Sequence, residues 1–237
     1  MLVAAAVCPC PPLLVPEVAA GAAGELQPLR AACRDAVAVT AAARPDRLVV
    51  IGPAEQAGRG PHPQGALGSF AGVGVGHEVR LGPGEGPTGP ARLPLSLAVA
   101  GWLLERTRWA AAPVEGIGVG EPLAAQRCAQ VGREIAAGAE RVALLVMGDG
   151  SACRSVRAPG YLDERAAGFD ADAARALGAA DTAALLSLDA GLAQELRAAG
   201  RAPWQVLAGA GEGAGLGGEL LHDEAPYGVG YLVAAWS

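Results

Sequence analysis

Three short apolar runs, each stopped by proline or glycine, restrict the fold of this chain more than any other feature. Leu2–Cys8 closes on a cluster of prolines, Arg47–Gly52 (RLVVIG) stops at Pro53, and Arg141–Met147 (RVALLVM) stops at Gly148. Runs this short, without alternation and rich in Val, Leu and Ile, read as strands buried on both faces, as in a parallel sheet. Between the first two, residues 25–43 show helical spacing and good helix formers, and Pro45-Asp46 marks the break before the second strand. Strand, helix, strand in that order implies a parallel βαβ crossover.

The remaining segments extend this plan. Residues 53–92 are rich in Gly and Pro, with short apolar alternations at 70–75 and 77–81, which predicts loops carrying one or two edge strands or a hairpin. Residues 94–107 read as helix, Val114–Val119 as strand and 121–137 as helix. Ala-rich helical segments occupy 163–179, 181–187 and 189–199, with Asp181 and Asp189 placed as N-caps or first-turn acids. Trp204–Ala210 reads as a strand or the start of a helix, 211–218 as a Gly-rich loop, and Gly228–Trp236 as a closing strand. No repeat of solenoid length and no break in composition divides the chain. The expectation is one domain, residues 1–237, of the α/β class, with a mixed, mainly parallel central sheet flanked by helices. A chain of 237 residues is long enough to bury a substantial core. Hydrophobic residues make up 51% of it and aromatic residues 4%, so that core should be aliphatic.

Charge and residue usage exclude several function classes. All 18 basic residues are arginine, which rules out Schiff-base lysine chemistry and the lysine of a P-loop. The net charge is −6 and no arginines cluster in sequence, which disfavours nucleic acid as a partner. The first basic residue is Arg30, so the apolar N-terminus lacks a charged leader region, and Pro9, Pro11, Pro12 and Pro16 break it too early to span a membrane. Five scattered cysteines (Cys8, Cys10, Cys33, Cys128 and Cys153) do not form a disulfide framework. Together these features predict a cytoplasmic protein without a membrane partner. An exposed sheet edge or aliphatic patch would permit a homo-oligomer, although no residue identifies one.

In parallel α/β sheets, function gathers in the loops at the carboxyl ends of strands. Three strands deliver polar residues there: Cys8-Pro9-Cys10-Pro11-Pro12, then Gly52-Pro53-Ala54-Glu55-Gln56, then Gly148-Asp149-Gly150-Ser151-Ala152-Cys153. A fourth group, His222-Asp223-Glu224, precedes the closing strand and by default is a solvated polar turn. Asp149-Gly150 has a plain reading as a turn in which glycine supplies positive φ. His77 reads as a surface strand residue, and Tyr227 either packs under the sheet or offers its hydroxyl to a pocket. The Gly-rich stretches lack the strand–GxGxxG–helix context of a nucleotide loop, and no G-x-S-x-G elbow is present.

The segments CPCPPLLVPE, IGPAEQ, MGDGSA, AGFDADAARAL, GRAPWQVLAGA and EAPYGVGYLVA, in that order and spacing, resemble the superfamily of class III extradiol ring-cleavage dioxygenases (LigB-like) and Memo-like proteins. The resemblance spans most of the chain, although each motif is short. It implies a non-haem Fe(II) enzyme inserting O₂ into a catechol-like ring. The chain departs from that pattern at the metal ligands. Cys10 stands where the first histidine is expected, Glu55 or Gln56 where the second is, and Ala152 where the acid–base histidine is. The only histidines are His62, His77 and His222. Asp149, Ser151 and Cys10 remain as candidate catalytic residues. A rebuilt iron or zinc site would draw on Cys10, Glu55, Glu224 or Asp149, with His62 swinging in from GRGPHPQG. Two rivals stand beside this reading: a non-catalytic relative binding a small molecule or a protein, and an enzyme using Cys10 as nucleophile.

Overall fold

A computed structural model describes residues 1–86 and 92–237; residues 87–91, within the segment read as loop and edge strand, lie outside the described residues. The chain runs β1 (Leu2–Cys8), α1 (Pro16–Ala19), α2 (Gln27–Ala42), β2 (Arg47–Pro53), β3 (Gly60–His62), β4 (Leu67–Ser69), β5 (Glu78–Arg80) and α3 (Leu95–Arg106). It continues with β6 (Val114–Val119), α4 (Ala125–Ala136), β7 (Val142–Met147), α5 (Ala166–Gly178), α6 (Thr182–Leu186), α7 (Ala190–Glu195), α8 (Arg201–Gly211), β8 (Gly218–Glu224) and β9 (Tyr231–Trp236). Among the described residues, seven strands form the central sheet in the order β3-β6-β2-β7-β1-β9-β8, and β4 and β5 form a separate hairpin. The block β6-β2-β7-β1 is parallel throughout, while β3 at one edge and β9 and β8 at the other are antiparallel additions. The fold is therefore α/β with a mixed, mainly parallel sheet between helical layers.

The strand runs are apolar without alternation because both sheet faces are covered. Successive side chains point to opposite faces. In β7, Ala143, Leu145 and Met147 enter the core beneath α2 and α3, and Val142, Leu144 and Val146 enter the core beneath α4, α5 and α8. β2 divides the same way, Leu48 and Val50 against Val49 and Ile51. Truncating one of these buried leucines should cost about 2–5 kcal/mol, the transfer term plus the cavity left behind.

On the second face, α4 and α8 meet backbone to backbone. A Cβ at Gly209 would fall on the Ala129 carbonyl oxygen, and one at Gly132 on that of Val206, so glycine at both positions is what lets the helices approach this closely. The expected caps form: Asp181 accepts the Ala184 amide at 2.9 Å and Asp189 that of Leu192 at 2.6 Å.

Several local expectations are settled or corrected. Residues 201–211 are helix, α8, rather than strand. The alternation at 70–75 becomes a turn of 3₁₀-helix over Ala71–Val73, and that at 77–81 contributes β5. His222-Asp223-Glu224, read as a solvated turn, lies within the edge strand β8, whose register shifts between Leu220 and His222. That bulge breaks the alternation by which an edge strand is recognised.

Candidate functional site

At the carboxyl ends of β1, β2 and β7 lies a cavity of about 810 Å³. Three of its residues come from the strand exits already singled out: Cys10 after β1, Glu55 after β2 and Asp149 after β7. Among the described residues, His62, from β3, and Ser96, from the first turn of α3, complete its polar inventory with Arg92. Prolines and alanines supply much of the remaining wall, giving an apolar recess with a few directed polar groups.

Asp149 is the best-defined of these. Its position follows from a glycine-bracketed loop with both backbone sides pinned. The Gly148 amide donates to the Cys8 carbonyl at 3.0 Å, and the Gly200 amide donates to the Asp149 carbonyl at 2.8 Å. A Cβ on Gly148 would stand 2.5 Å from the Gly200 Cα, so the close approach requires glycine there. The carboxylate accepts one hydrogen bond, from the Cys10 amide at 2.8 Å. The group sits deep among protein atoms, yet its surface reaches the cavity. Burial drives its pKa up to about 7, and the Cys10 N–H restrains that rise. At neutral pH the carboxyl is therefore divided between a hydrogen-bond donor and an acceptor.

Cys10 is 8% exposed, and burial together with the negative charge of Asp149 and Glu121 raises its thiol well above the ordinary range. A reactive cysteine needs the opposite environment, one that favours thiolate. His62 is half-buried, and its Nε2 lies 2.8 Å from the Gly58 carbonyl oxygen. Glu55 is exposed at the rim. The Ser96 hydroxyl donates to the Pro53 carbonyl at 2.7 Å, tying α3 to the end of β2. A Cβ on Gly52 would lie 2.6 Å from that hydroxyl oxygen, so α3 reaches the strand only over glycine.

Two predicted site residues fall outside the cavity. Ser151 is fully buried and points to Asp170, to which it donates from its amide at 2.7 Å and from its hydroxyl at 2.8 Å. Arg154 closes the same network at 3.0 Å. Ser151 is thus a structural residue, placed there because loop residues 149 and 151 face opposite ways. Glu224 lies on β8, opposite Tyr231 of β9, with its side chain exposed and 3.7 Å from His222. Strand β9 separates it from β1, which corrects its place in a ligand set with Cys10. Tyr227 is likewise turned outward, its hydroxyl donating to Glu25 at 2.9 Å.

A rebuilt metal centre therefore does not form from these residues. Among the described residues, no three His, Cys, Asp or Glu side chains converge in a way that would hold an ion. Cys10, Glu55, His62 and Asp149 all line the cavity, but no three of them gather around one point as an Fe(II) or Zn site requires.

Sequence reading missed Glu121, just beyond β6, which lines a smaller recess with Glu55 and Arg59. Burial lifts its pKa to about 7, and Arg201 opposes the rise with a guanidinium nitrogen 3.7 Å from its carboxylate. Arg201 is 1% exposed and also donates to the Leu123 carbonyl at 2.6 Å and to Gln205 at 3.0 Å. Glu121 and Arg201 are 80 positions apart, so spacing carries no trace of the pair; only the strand exit after β6 could have flagged Glu121.

Fold and site together define an α/β protein with a ligand-sized cleft at the carboxyl ends of adjacent parallel strands. The chain is similar in structure to an uncharacterized protein, JW3007, from Escherichia coli K12, with a TM-score of 0.55 and 14% sequence identity over 99% of both chains. At that identity the likeness concerns the fold alone. No protein-family model matches the chain, and no curated protein matches it.

Proposed function

We propose that this chain is a divergent relative of the class III extradiol dioxygenase (LigB-like and Memo-like) group whose cleft binds a small organic molecule without a resident iron. The observation that carries this reading is Asp149, a carboxyl with a single hydrogen bond that opens on a cavity of about 810 Å³ where the metal-ligand set does not assemble. The ordered motifs from CPCPPLLVPE to EAPYGVGYLVA support the family, and the cavity volume lies in the range of small-molecule sites. Asp149 would meet an oxygen or nitrogen of the ligand, and the apolar walls would cover its hydrocarbon part.

The elevated thiol of Cys10 favours this reading over the cysteine enzyme. We place the protein in the cytoplasm: its cysteines are all free and buried, as in a reducing compartment, and among the described residues no helix is long and apolar enough to cross a membrane.

The test is elemental analysis of purified protein after anaerobic Fe(II) loading, wild type beside Cys10→Ala, together with a thermal-shift screen of catechols and small carboxylic acids. The expected outcome is no stoichiometric metal, and a ligand-induced rise in Tm that Asp149→Ala abolishes. Near-stoichiometric iron or zinc that Cys10→Ala loses would overturn the metal-free reading and restore ring cleavage as the activity to assay.

A further inference from the structure

Away from the cleft, α1, the start of α2 and one face of α3 enclose a groove of about 590 Å³ whose chemistry is basic. Arg30 and Arg34 of α2 and Arg106 of α3 line it, although the protein as a whole carries a net charge of −6. Arg30 is held by backbone oxygens, donating to the carbonyls of Leu14 and Ala23. Arg106 shares Glu17 at 3.3 Å, the one carboxylate in the lining, and its guanidinium lies 5.7 Å from the centre of the Trp102 ring. Arg34 is exposed and enters none of the ion pairs among the described residues.

Two further observations point the same way. The N-terminus of α2 opens on this groove through Gly24 and Gln27; its N-cap residue, Leu26, offers no side-chain hydrogen bond, and its first turn holds no acid. The first turn of this sixteen-residue helix thus carries no acid of its own, and the nearest carboxylate before it, Glu25, accepts the Tyr227 hydroxyl. Trp102 forms part of the wall, is 3% exposed, and among the described residues its indole N–H has no hydrogen-bond partner. The indole ring gives the groove an aromatic wall against which Arg106 is held.

We infer that this groove is an anion site for a phosphate-bearing soluble small molecule, recognised by Arg34 and Arg106 over the Trp102 indole at the N-terminus of α2. Guanidinium groups match phosphate oxygens in geometry as well as charge. A recessed groove with a tryptophan wall suits a discrete ligand, and the acidic remainder of the surface repels an anionic bilayer. The site is separate from the Asp149 cleft, so the two stand or fall independently.

The probe is inorganic pyrophosphate, titrated into the full-length protein at low salt without divalent metal, followed by calorimetry and tryptophan fluorescence. Wild type should bind with a fluorescence change. Arg34→Gln and Arg106→Gln should each weaken binding about tenfold, in line with the loss of one charge-assisted contact. Trp102→Phe should bind more weakly and lose the fluorescence change, whereas Arg175→Gln, an exposed arginine outside the groove, should behave as wild type. Circular dichroism of each variant separates loss of the site from loss of the fold. Absence of binding by wild type, equal weakening by Arg175→Gln, or binding to phosphatidylserine vesicles but not to pyrophosphate would each overturn the inference.

Discussion

Asp149, half-buried at the cleft, and Asp170, fully buried behind the same loop, do different things. Asp170 collects the Ser151 amide, the Ser151 hydroxyl and Arg154, three donors that offset the cost of taking a carboxylate out of water. Its pKa is still raised by burial, against the pull of each of those donors. Among the described residues Asp149 has only the Cys10 amide, and its remaining surface faces the cavity. A satisfied buried carboxylate holds a fold together, and an under-satisfied one beside a cavity is free to meet a ligand. The number of donors, together with the opening onto the cavity, separates the two roles.

That contrast can be broken by substitution. Asp170→Ala should have the largest effect, a loss of about 3 kcal/mol in urea unfolding, because it strands a buried serine and an arginine together. A loss no larger than that of a surface variant would dissolve the distinction.

Next comes the pH dependence of Asp149. Its folded pKa, about 7, lies above the unfolded value of about 3.9, so the stability it contributes is complete below pH 4 and is lost as pH rises through 7. Glu121, also lifted to about 7, acts in the same direction. Asp149→Asn keeps an acceptor for the Cys10 amide and removes the ionisation. It should therefore be more stable than wild type at pH 8, by about 2 kcal/mol after allowing for solvent access through the cavity, and near-equal at pH 4. Denaturant curves at the two pH values check this, and an identical slope in both proteins would place the titration elsewhere.

Ser151→Ala removes one of the three donors to Asp170 and leaves its amide contact in place. The expected loss is about 1 kcal/mol, with ligand binding in the cleft unchanged. Reduced binding without reduced stability would bring Ser151 back into the site. The smallest signal should come from Cys10, whose alkylation by iodoacetamide in native protein at pH 7.5 should be far slower than that of a free thiol. Rapid modification, mapped by mass spectrometry, would revive the cysteine-enzyme reading.

Much of this arrangement was legible in the chain because it is written locally. The runs at Leu2–Cys8, Arg47–Gly52 and Arg141–Met147 name central strands, since a strand covered on both faces has no room for polar residues. Asp181 and Asp189 announce helix starts because capping involves only residues a turn apart. Strand exits then place Cys10, Glu55 and Asp149 at one end of the sheet.

What the sequence left open depends on contacts between distant segments. Residues 201–210 are buried on every side, so no apolar stripe distinguishes helix from strand; packing on α4 through Gly132 and Gly209 decides it. The pattern GELLHDE gives no strand signal because β8 is an exposed edge with a bulge. The loop after β7 looks uniform in one dimension, but in the fold Asp149 opens on the cleft while Ser151 turns to Asp170, a residue nineteen positions away. Local preference and burial period determined the sheet and its functional end. The roles of individual carboxyls were decided only in the tertiary structure, because pKa and hydrogen-bond satisfaction depend on which donors the fold brings within about 3 Å.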